Sequence, residues 1–130
     1  MGRELKDEAR VSLWLGTFSS EEAAGQYVEG SYTEDGEYAP SSFEQDFAFR
    51  YDPDFIELNY KEAPEAALEV LLAGHSYDDE ILPAFRELPG PSGEAYNTVI
   101  LVYNLAYHEE VRRSSPESGE LVYKGTVQYR

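Results

Sequence analysis

Alternating apolar and polar side chains predict a first strand near the beginning of the chain. Val11, Leu13 and Leu15 occupy every second position, and Gly16 follows directly. Successive side chains of a strand point to opposite faces of a sheet. These three residues therefore share one face, and Trp14 lies on the other.

Two capping patterns predict helices in the first half of the chain. Ser19 followed by Glu22 predicts a helix over residues 20–29, because a serine and a glutamate three residues apart satisfy each other's backbone amides. Ser41 followed by Glu44 repeats this pattern and predicts a short second helix. Both helices follow the first strand, so we expect them to pack against it.

Turns and one strand are predicted in the middle of the chain. Residues 32–39 hold acidic residues and a glycine, which predicts an acidic turn. Residues 51–54 predict a second turn, because Pro53 fixes its own φ and disfavours helix at the residue before it. Alternation over residues 55–60 then predicts a strand.

Two further helices are predicted before the C-terminal strands. Pro64 suits a first helical position and Gly74 a C-terminal stop, so we expect a helix over residues 65–73. Residues 76–88 begin with three consecutive carboxylates and continue with apolar residues at helical spacing, which predicts a helix with an acidic start.

Two strands are predicted at the end of the chain. The apolar run over residues 97–107 predicts a central strand, and residues 121–129 predict a last strand. We expect these two strands to pair as a hairpin. The segment between them, 108–119, holds Ser, Pro and Gly residues and predicts a mobile connection, as residues 88–95 predict a loop.

The elements together predict an α+β fold. We expect a single, mostly antiparallel sheet of about four strands with helices packed against it. Along the chain the order is strand, helix, helix, strand, helix, helix, strand, strand. A length of 130 residues predicts one domain over 1–130, with a flexible segment at 1–10.

The charge is concentrated in one part of the chain. The net charge is −16, and residues 19–80 carry 17 acidic side chains against two basic ones. Such a field attracts a positively charged partner and repels nucleic acid, so direct binding to DNA or RNA is not expected. A solvated acidic face on a soluble protein is the alternative explanation.

Several kinds of chemistry lack the residues they need. The absence of cysteine excludes disulfides and thiolate catalysis and suits the cytosol. The segment 1–10 has no apolar run, and no window holds the about 20 apolar residues of a membrane span, so we expect neither secretion nor a membrane segment. His75 and His108 lack partners at metal-ligand spacing, and no glycine-rich phosphate loop occurs. We expect no catalytic residue, metal or cofactor.

Paired carboxylates allow one chemical alternative. Asp52 with Asp54, or Asp78 with Glu80, has the spacing of an acid/base pair or of an oxygen-ligand metal site. Each pair also has a structural explanation, in turn formation or at a helix N-terminus. The structural explanation is favoured for each pair alone, and only the crowding of carboxylates favours a binding surface.

Six short motifs in the same order resemble the immunity protein 22 family. The resemblance extends from residue 11 to residue 129. The motifs are VSLWLG at 11–16 followed by Phe18 and an acidic helix, YTEDG at 32–36, SF at 42–43, YDPDFIE at 51–57, SYDDE at 76–80 and NTVI at 97–100.

The resemblance implies a cytosolic antidote of a bacterial polymorphic toxin system, which binds a cognate toxin domain and is not known for catalysis. Many such toxins are nucleases with basic grooves, which an acidic inhibitor can occupy. Tyrosines are favoured as anchors in interfaces, and Trp14 is a weaker candidate because strand tryptophans usually pack under helices. The hypothesised contacts are Asp35, Glu37, Asp52, Asp54, Glu57, Asp78, Asp79, Glu80, Tyr38, Tyr51 and Tyr77.

Two other functions fit the same residues. An acidic nucleic-acid mimic that inhibits a host enzyme uses the same surface and differs in its target. A small carboxylate- or metal-dependent enzyme uses Asp52, Asp54 and Glu57, and predicts a higher melting temperature with Mg²⁺ or Ca²⁺. No role is assigned to Arg112 and Arg113.

Overall fold

The computed structural model describes residues 6–88, 94–108, 111–117 and 119–129 and shows an α+β fold. Its elements are β1 (Lys6–Phe18), α1 (Glu21–Val28), β2 (Ser31–Tyr32), β3 (Tyr38–Ala39), α2 (Ser42–Asp46), a 3-10 turn (Pro53–Phe55), β4 (Ile56–Glu65), α3 (Leu68–Leu71), α4 (Asp78–Arg86), β5 (Tyr96–Leu105), β6 (Arg113–Ser114) and β7 (Gly119–Gln128).

The main sheet has five strands in the order β4-β5-β1-β7-β6, and every neighbouring pair is antiparallel. The predicted α+β class and antiparallel sheet are confirmed, but the strand count of four is wrong. The predicted hairpin between the last two long strands is also wrong, because β1 lies between β5 and β7. Val11 is paired with Tyr103 on one side and with Val127 on the other.

The two faces of the sheet carry two hydrophobic clusters. Val11, Leu13 and Leu15 point to the face covered by α3 and α4, where Leu72 and Ile81 are fully buried. The opposite face holds Trp14, Phe18 and the aromatic residues of α1 and α2. The predicted division of β1 into two faces is therefore confirmed, and both of its faces are buried.

Trp14 is the centre of the second cluster. Its side chain has no exposed surface, and its ring packs edge-on against Phe43 at 4.9 Å and stacks on Phe49 at 5.4 Å between ring centroids. Tyr107 and Tyr123 approach within 5.2 and 5.3 Å. Trp14 is a core residue, as its place on a strand beside a glycine indicates.

The predicted helix over residues 65–73 is mostly wrong. Pro64 and Glu65 belong to β4, which is an edge strand, and an edge strand tolerates a proline because one of its sides makes no ladder hydrogen bonds. The helix that follows is a single turn, Leu68–Leu71. The helix ends at Leu71, three residues before the predicted stop at Gly74, which adopts a φ of +86° in the turn that follows.

The helix caps differ by one residue from the prediction at α1 and agree with it at α2. Ser20, not Ser19, accepts the hydrogen bond from the Ala23 amide. At α2 the capping box of Ser41 and Glu44 is complete. The acidic start of α4 is confirmed, with three carboxylates in its first turn.

Two of the predicted connections, 32–39 and 108–119, contain short strands. Most of the predicted loop at 88–95 lies outside the described residues. Residues 32–39 include the predicted turn, which joins β2 to β3 in a small hairpin. The segment 108–119 includes β6, which pairs with β7. β1 begins at Lys6, while residues 1–5 and 89–93 lie outside the described residues. None of the described helices is long and apolar enough to cross a membrane.

Candidate functional site

A depression of about 530 Å³ lies where the start of β4 meets the start of α4 and the ends of β5 and β7. It combines aromatic rings with carboxylates, and no lysine or arginine is among the described residues that line it. The lining residues are Glu8, Asp54, Phe55, Ile56, Glu57, Ser76, Tyr77, Tyr103, Asn104 and Tyr129. We call this feature the tyrosine pocket.

Glu57 joins β4 to the start of α4 at one side of the pocket. Its Oε1 accepts hydrogen bonds from the Ser76 amide at 3.0 Å and from His75 Nδ1 at 2.9 Å. Its Oε2 accepts a hydrogen bond from the Ser76 hydroxyl. An ionised carboxylate only accepts hydrogen bonds, so Nδ1 carries the hydrogen of the His75 ring.

These contacts lower the pKa of Glu57. Burial by itself raises the pKa of the carboxyl, but the hydrogen bonds from Ser76 and His75 favour the ionised form and outweigh the effect of burial. Glu57 is half-buried, because Ser76 and His75 fold over it.

Three tyrosine rings pack against one another in the pocket. The centroids of Tyr103 and Tyr129 are 5.1 Å apart, and Tyr77 approaches Tyr129 at 4.8 Å and Tyr103 at 6.2 Å. Tyr103 and Tyr129 are buried, while Tyr77 exposes 47% of its surface. The pocket therefore has a fixed aromatic floor and one exposed aromatic wall.

Hydrogen bonds hold the two floor tyrosines in place. The Tyr103 hydroxyl donates to the Ser76 carbonyl, and the Tyr129 hydroxyl donates to Asn104 Oδ1. The pKa of Tyr103 is raised by burial, and further by the negative charges of Glu57 and Asp78. The carboxylates of Glu57 and Asp78 therefore lie close enough to act on the ring of Tyr103.

The backbone of two lining residues adopts the left-handed conformation that is rare outside glycine. Tyr77 and Asn104 both have a φ of 61°. Each such residue costs about 1–3 kcal/mol unless the surrounding structure holds it, and such residues occur often at functional sites. At Tyr77 this conformation precedes the first residue of α4.

Three of the residues hypothesised as partner contacts meet at the tyrosine pocket. Asp54, Glu57 and Tyr77 line it. Asp79 and Glu80 are exposed on the first turn of α4, next to Tyr77. Asp78 is half-buried and accepts a hydrogen bond from the Gly74 amide, and its charge acts on Tyr103.

Three other hypothesised contacts lie on the β2–β3 hairpin. Asp35 and Glu37 are exposed in and beside its turn. The Tyr38 hydroxyl donates to Glu44 Oε1 at 2.6 Å, and this hydrogen bond, together with some burial, raises the pKa of Tyr38 to about 12. Tyr38 pairs across the hairpin with Tyr32, which is 74% exposed.

The last two hypothesised contacts have local structural roles. Tyr51 is half-buried, its hydroxyl donates to the Val28 carbonyl at 2.7 Å, and burial raises its pKa to about 12. Asp52 accepts a hydrogen bond from the Asp54 amide and caps the 3-10 turn. Neither role excludes contact with a partner.

Sequence reasoning missed the floor of the pocket and the most exposed aromatic residue. Tyr103 lies in the apolar run that becomes β5, and Tyr129 follows β7 directly. These positions predict burial only, and the meeting of the two rings depends on how the strands are arranged. Tyr32 could have been recognised, because it is the first residue of the segment predicted as an acidic turn. Phe55, 41% exposed at the rim, was assigned to a strand.

The enzyme alternative uses Asp52, Asp54 and Glu57, of which Asp54 and Glu57 line the pocket. No group of three His, Asp or Glu side chains suited to a metal ion occurs among the described residues. The oxygens of Glu57 are engaged by Ser76 and His75, and Asp52 is engaged by the turn. Outside the pocket, Arg113 forms an ion pair with Glu120 at 2.6 Å, and Arg112 lies over the Tyr123 ring.

Comparison with known proteins identifies one family. The family model described as Immunity protein 22 matches residues 11–130, which is nearly the whole chain. The resemblance carried by the six sequence motifs is thereby confirmed. No curated protein and no solved structure matches the chain.

Proposed function

The chain belongs to the immunity protein 22 family, and from this premise we propose that it neutralises a basic, nuclease-type bacterial toxin domain by binding it through an acidic surface centred on the tyrosine pocket. The observation that carries the proposal is the convergence of Asp54, Glu57 and Tyr77 in one depression. The activity is binding rather than catalysis, and it takes place in the cytoplasm.

The chemistry of the pocket suits a protein interface. Interfaces favour tyrosine anchors in partly desolvated pockets, surrounded by polar groups. Tyr77 offers such an anchor, and Asp79 and Glu80 extend the negative surface along α4. A nuclease presents positive side chains to its substrate, so a negative surface of this kind competes with the nucleic acid.

The β2–β3 hairpin carries a second group of proposed contacts, beside α2, which packs on the opposite face of the sheet from α4. Asp35 and Glu37 add negative charge there, and the exposed ring of Tyr32 adds an aromatic contact. Tyr38 is tied to Glu44 and therefore holds the hairpin against α2. The hydroxyl of Tyr51 donates to the carbonyl of Val28 at the end of α1, shortly before the hairpin begins.

Growth rescue tests the proposal. A bacterial host expresses the toxin domain encoded next to this protein, with and without the protein, and the two are then co-purified at low and high salt. We expect rescue and a complex that weakens at high salt. Absence of both rescue and complex contradicts the proposal.

Charge reversal tests the location of the surface. Asp54→Lys and Asp79→Lys should fold normally, because both side chains are exposed, and should weaken toxin binding. Glu62→Lys is the matched control, since Glu62 is exposed on β4 and does not line the pocket. If all three variants bind the toxin with the affinity of the wild-type protein, the pocket is not part of the interface.

A further inference from the structure

We propose that the tyrosine pocket receives the guanidinium group of an arginine side chain of the toxin. This inference rests on the proposed function and names the group that the pocket recognises. It follows from the ring arrangement, the placement of the carboxylates and the absence of a positive side chain among the described lining residues.

The rings provide the surfaces for a flat cation. An aromatic ring attracts a cation placed over its face, and a guanidinium both stacks on the ring and donates hydrogen bonds in its own plane. Tyr77 leans over Tyr129 at an interplanar angle of 63° and over Tyr103 at 45°. The rings therefore form walls at an angle to one another instead of one flat stack.

Asp54 provides a carboxylate for the guanidinium to bind. It is exposed at the rim, and its side chain makes no ion pair with another described residue. Glu57 Oε2 accepts one hydrogen bond, from Ser76, and a carboxylate oxygen has room for two. Arginine is the side chain whose donors fit a carboxylate in pairs.

One electrostatic effect opposes a cation at this place. The N-terminus of α4 directly follows Tyr77, which lines the pocket, and carries a partial positive charge of about half a unit. The first turn of α4 holds Asp78, Asp79 and Glu80, whose three negative charges exceed it. The net field therefore favours a cation.

The pocket is in place before the arginine arrives. Tyr103 is bound to the Ser76 carbonyl, Tyr129 to Asn104, and Ser76 to Glu57. The floor of the pocket therefore has little side-chain freedom left to lose when a guanidinium enters, and such preorganisation favours binding.

A titration without toxin tests the inference. The probe is N-acetyl-L-arginine N-methylamide, added to the ¹⁵N-labelled protein and followed by NMR, with the uncharged citrulline analogue as its control. We expect shifts confined to amides near Asp54, Glu57, Tyr77 and Asn104 with the arginine probe. Equal shifts with the citrulline probe, or none in the pocket with arginine, overturn the inference.

Two variants of Tyr77 test whether the aromatic ring itself binds the probe. Tyr77→Phe keeps the aromatic face and should bind the probe like the wild-type protein. Tyr77→Leu keeps apolar bulk but loses that face, and should bind about 5- to 30-fold more weakly, the range that corresponds to a cation–π contact. Tyr32→Ala, on the hairpin, should leave probe binding unchanged. Equal binding by the Phe and Leu variants contradicts the role of the ring.

The toxin itself distinguishes this inference from the proposed function. If the toxin is neutralised equally well by wild-type protein and by Tyr77→Leu, the inference fails and the proposed function stands. If no toxin binds the wild-type protein, the proposed function fails and so does the assignment of the arginine to a toxin.

Discussion

Glu57 links two elements that are distant in sequence. It is the second residue of β4, yet it binds Ser76 and His75, which precede α4. Its carboxylate oxygens receive hydrogen bonds from both residues, and these bonds lower its pKa despite its burial. The ionised form of Glu57 therefore stabilises the fold and shapes the pocket.

Replacing this charge should give a pH-dependent loss of stability. Glu57→Gln should lower the free energy of unfolding by about 1–2 kcal/mol at pH 7, because hydrogen bonds to a charged acceptor are lost in a partly exposed site. A carboxyl with a lowered folded-state pKa stabilises above its unfolded-state pKa, and this contribution disappears as the pH falls through the folded-state value. The difference from wild type should therefore shrink below about pH 4.5.

Urea unfolding at several pH values measures this difference. Glu62→Gln on the same strand is the matched control, because Glu62 is exposed, and its stability should follow that of the wild-type protein. A Glu57→Gln difference that stays constant from pH 7 to pH 3 would contradict the role assigned to the carboxylate.

At the scale of elements, β1 and β7 approach each other unusually closely at a glycine. A Cβ added to Gly16 would lie 2.3 Å from the Glu120 carbonyl oxygen, which is far inside van der Waals contact. A Cβ added to Gly25, in α1, meets nothing within 4 Å. The same substitution should therefore have opposite effects at the two positions.

Gly16→Ala should lower the free energy of unfolding by about 1–3 kcal/mol, because the two strands must separate. Gly25→Ala should raise it by about 0.5–1 kcal/mol, because alanine is a better helix former and restricts the unfolded chain. Denaturant titration of both variants measures the effects. A Gly16→Ala protein as stable as wild type would show that the strands pack less closely than the structure indicates.

The N-terminus of α1 offers a second test at this scale. The Ser20 hydroxyl accepts a hydrogen bond from the Ala23 amide. Ser20→Ala should therefore lower the free energy of unfolding by about 0.5–2 kcal/mol. Ser19→Ala should change stability by less than about 0.5 kcal/mol, since Ser19 is exposed and lies outside the helix. A larger loss of stability in Ser19→Ala than in Ser20→Ala would show that Ser19 caps the helix, as the sequence pattern predicts.

At the scale of the whole molecule, the charge should govern how fast a partner binds. The net charge of −16 attracts a positively charged partner over a distance that depends on the salt concentration. At 0.1 M salt the attraction between exposed charges is largely screened beyond about 10 Å. The association rate with the toxin domain should therefore fall about tenfold or more between low and high salt, while the dissociation rate changes much less. Stopped-flow mixing measures both rates. An association rate independent of salt would contradict electrostatic attraction.

Local patterns predicted most elements of the chain. Alternation placed Val11 and Trp14 on opposite faces, and the Ser41–Glu44 capping box is complete. Such features depend on residues a few positions apart. The predicted helix at 65–73 failed because Pro64 suits both a helix start and an edge strand, and only the neighbouring strand decides between them.

The pocket lay mostly beyond the reach of such patterns. The SYDDE and YDPDFIE motifs pointed to Tyr77, Asp54 and Glu57, since exposed tyrosines and carboxylates favour an interface. Tyr103 and Tyr129 could not be assigned, because a buried tyrosine on a strand has no local feature that tells which end of the sheet it reaches.

The sequence by itself determined the class of fold, the family, the net charge of −16 and the two faces of β1, because short motifs, periodicity and charge can be read directly from the chain. The tertiary structure decided the strand order, with β1 between β5 and β7. It also decided that residues 54–57, 76–77, 103–104 and 129 share one depression. A central strand must bury both of its faces and form backbone hydrogen bonds along both of its edges. Which strand does so depends on all the other strands, so the strand order is decided only in the folded protein.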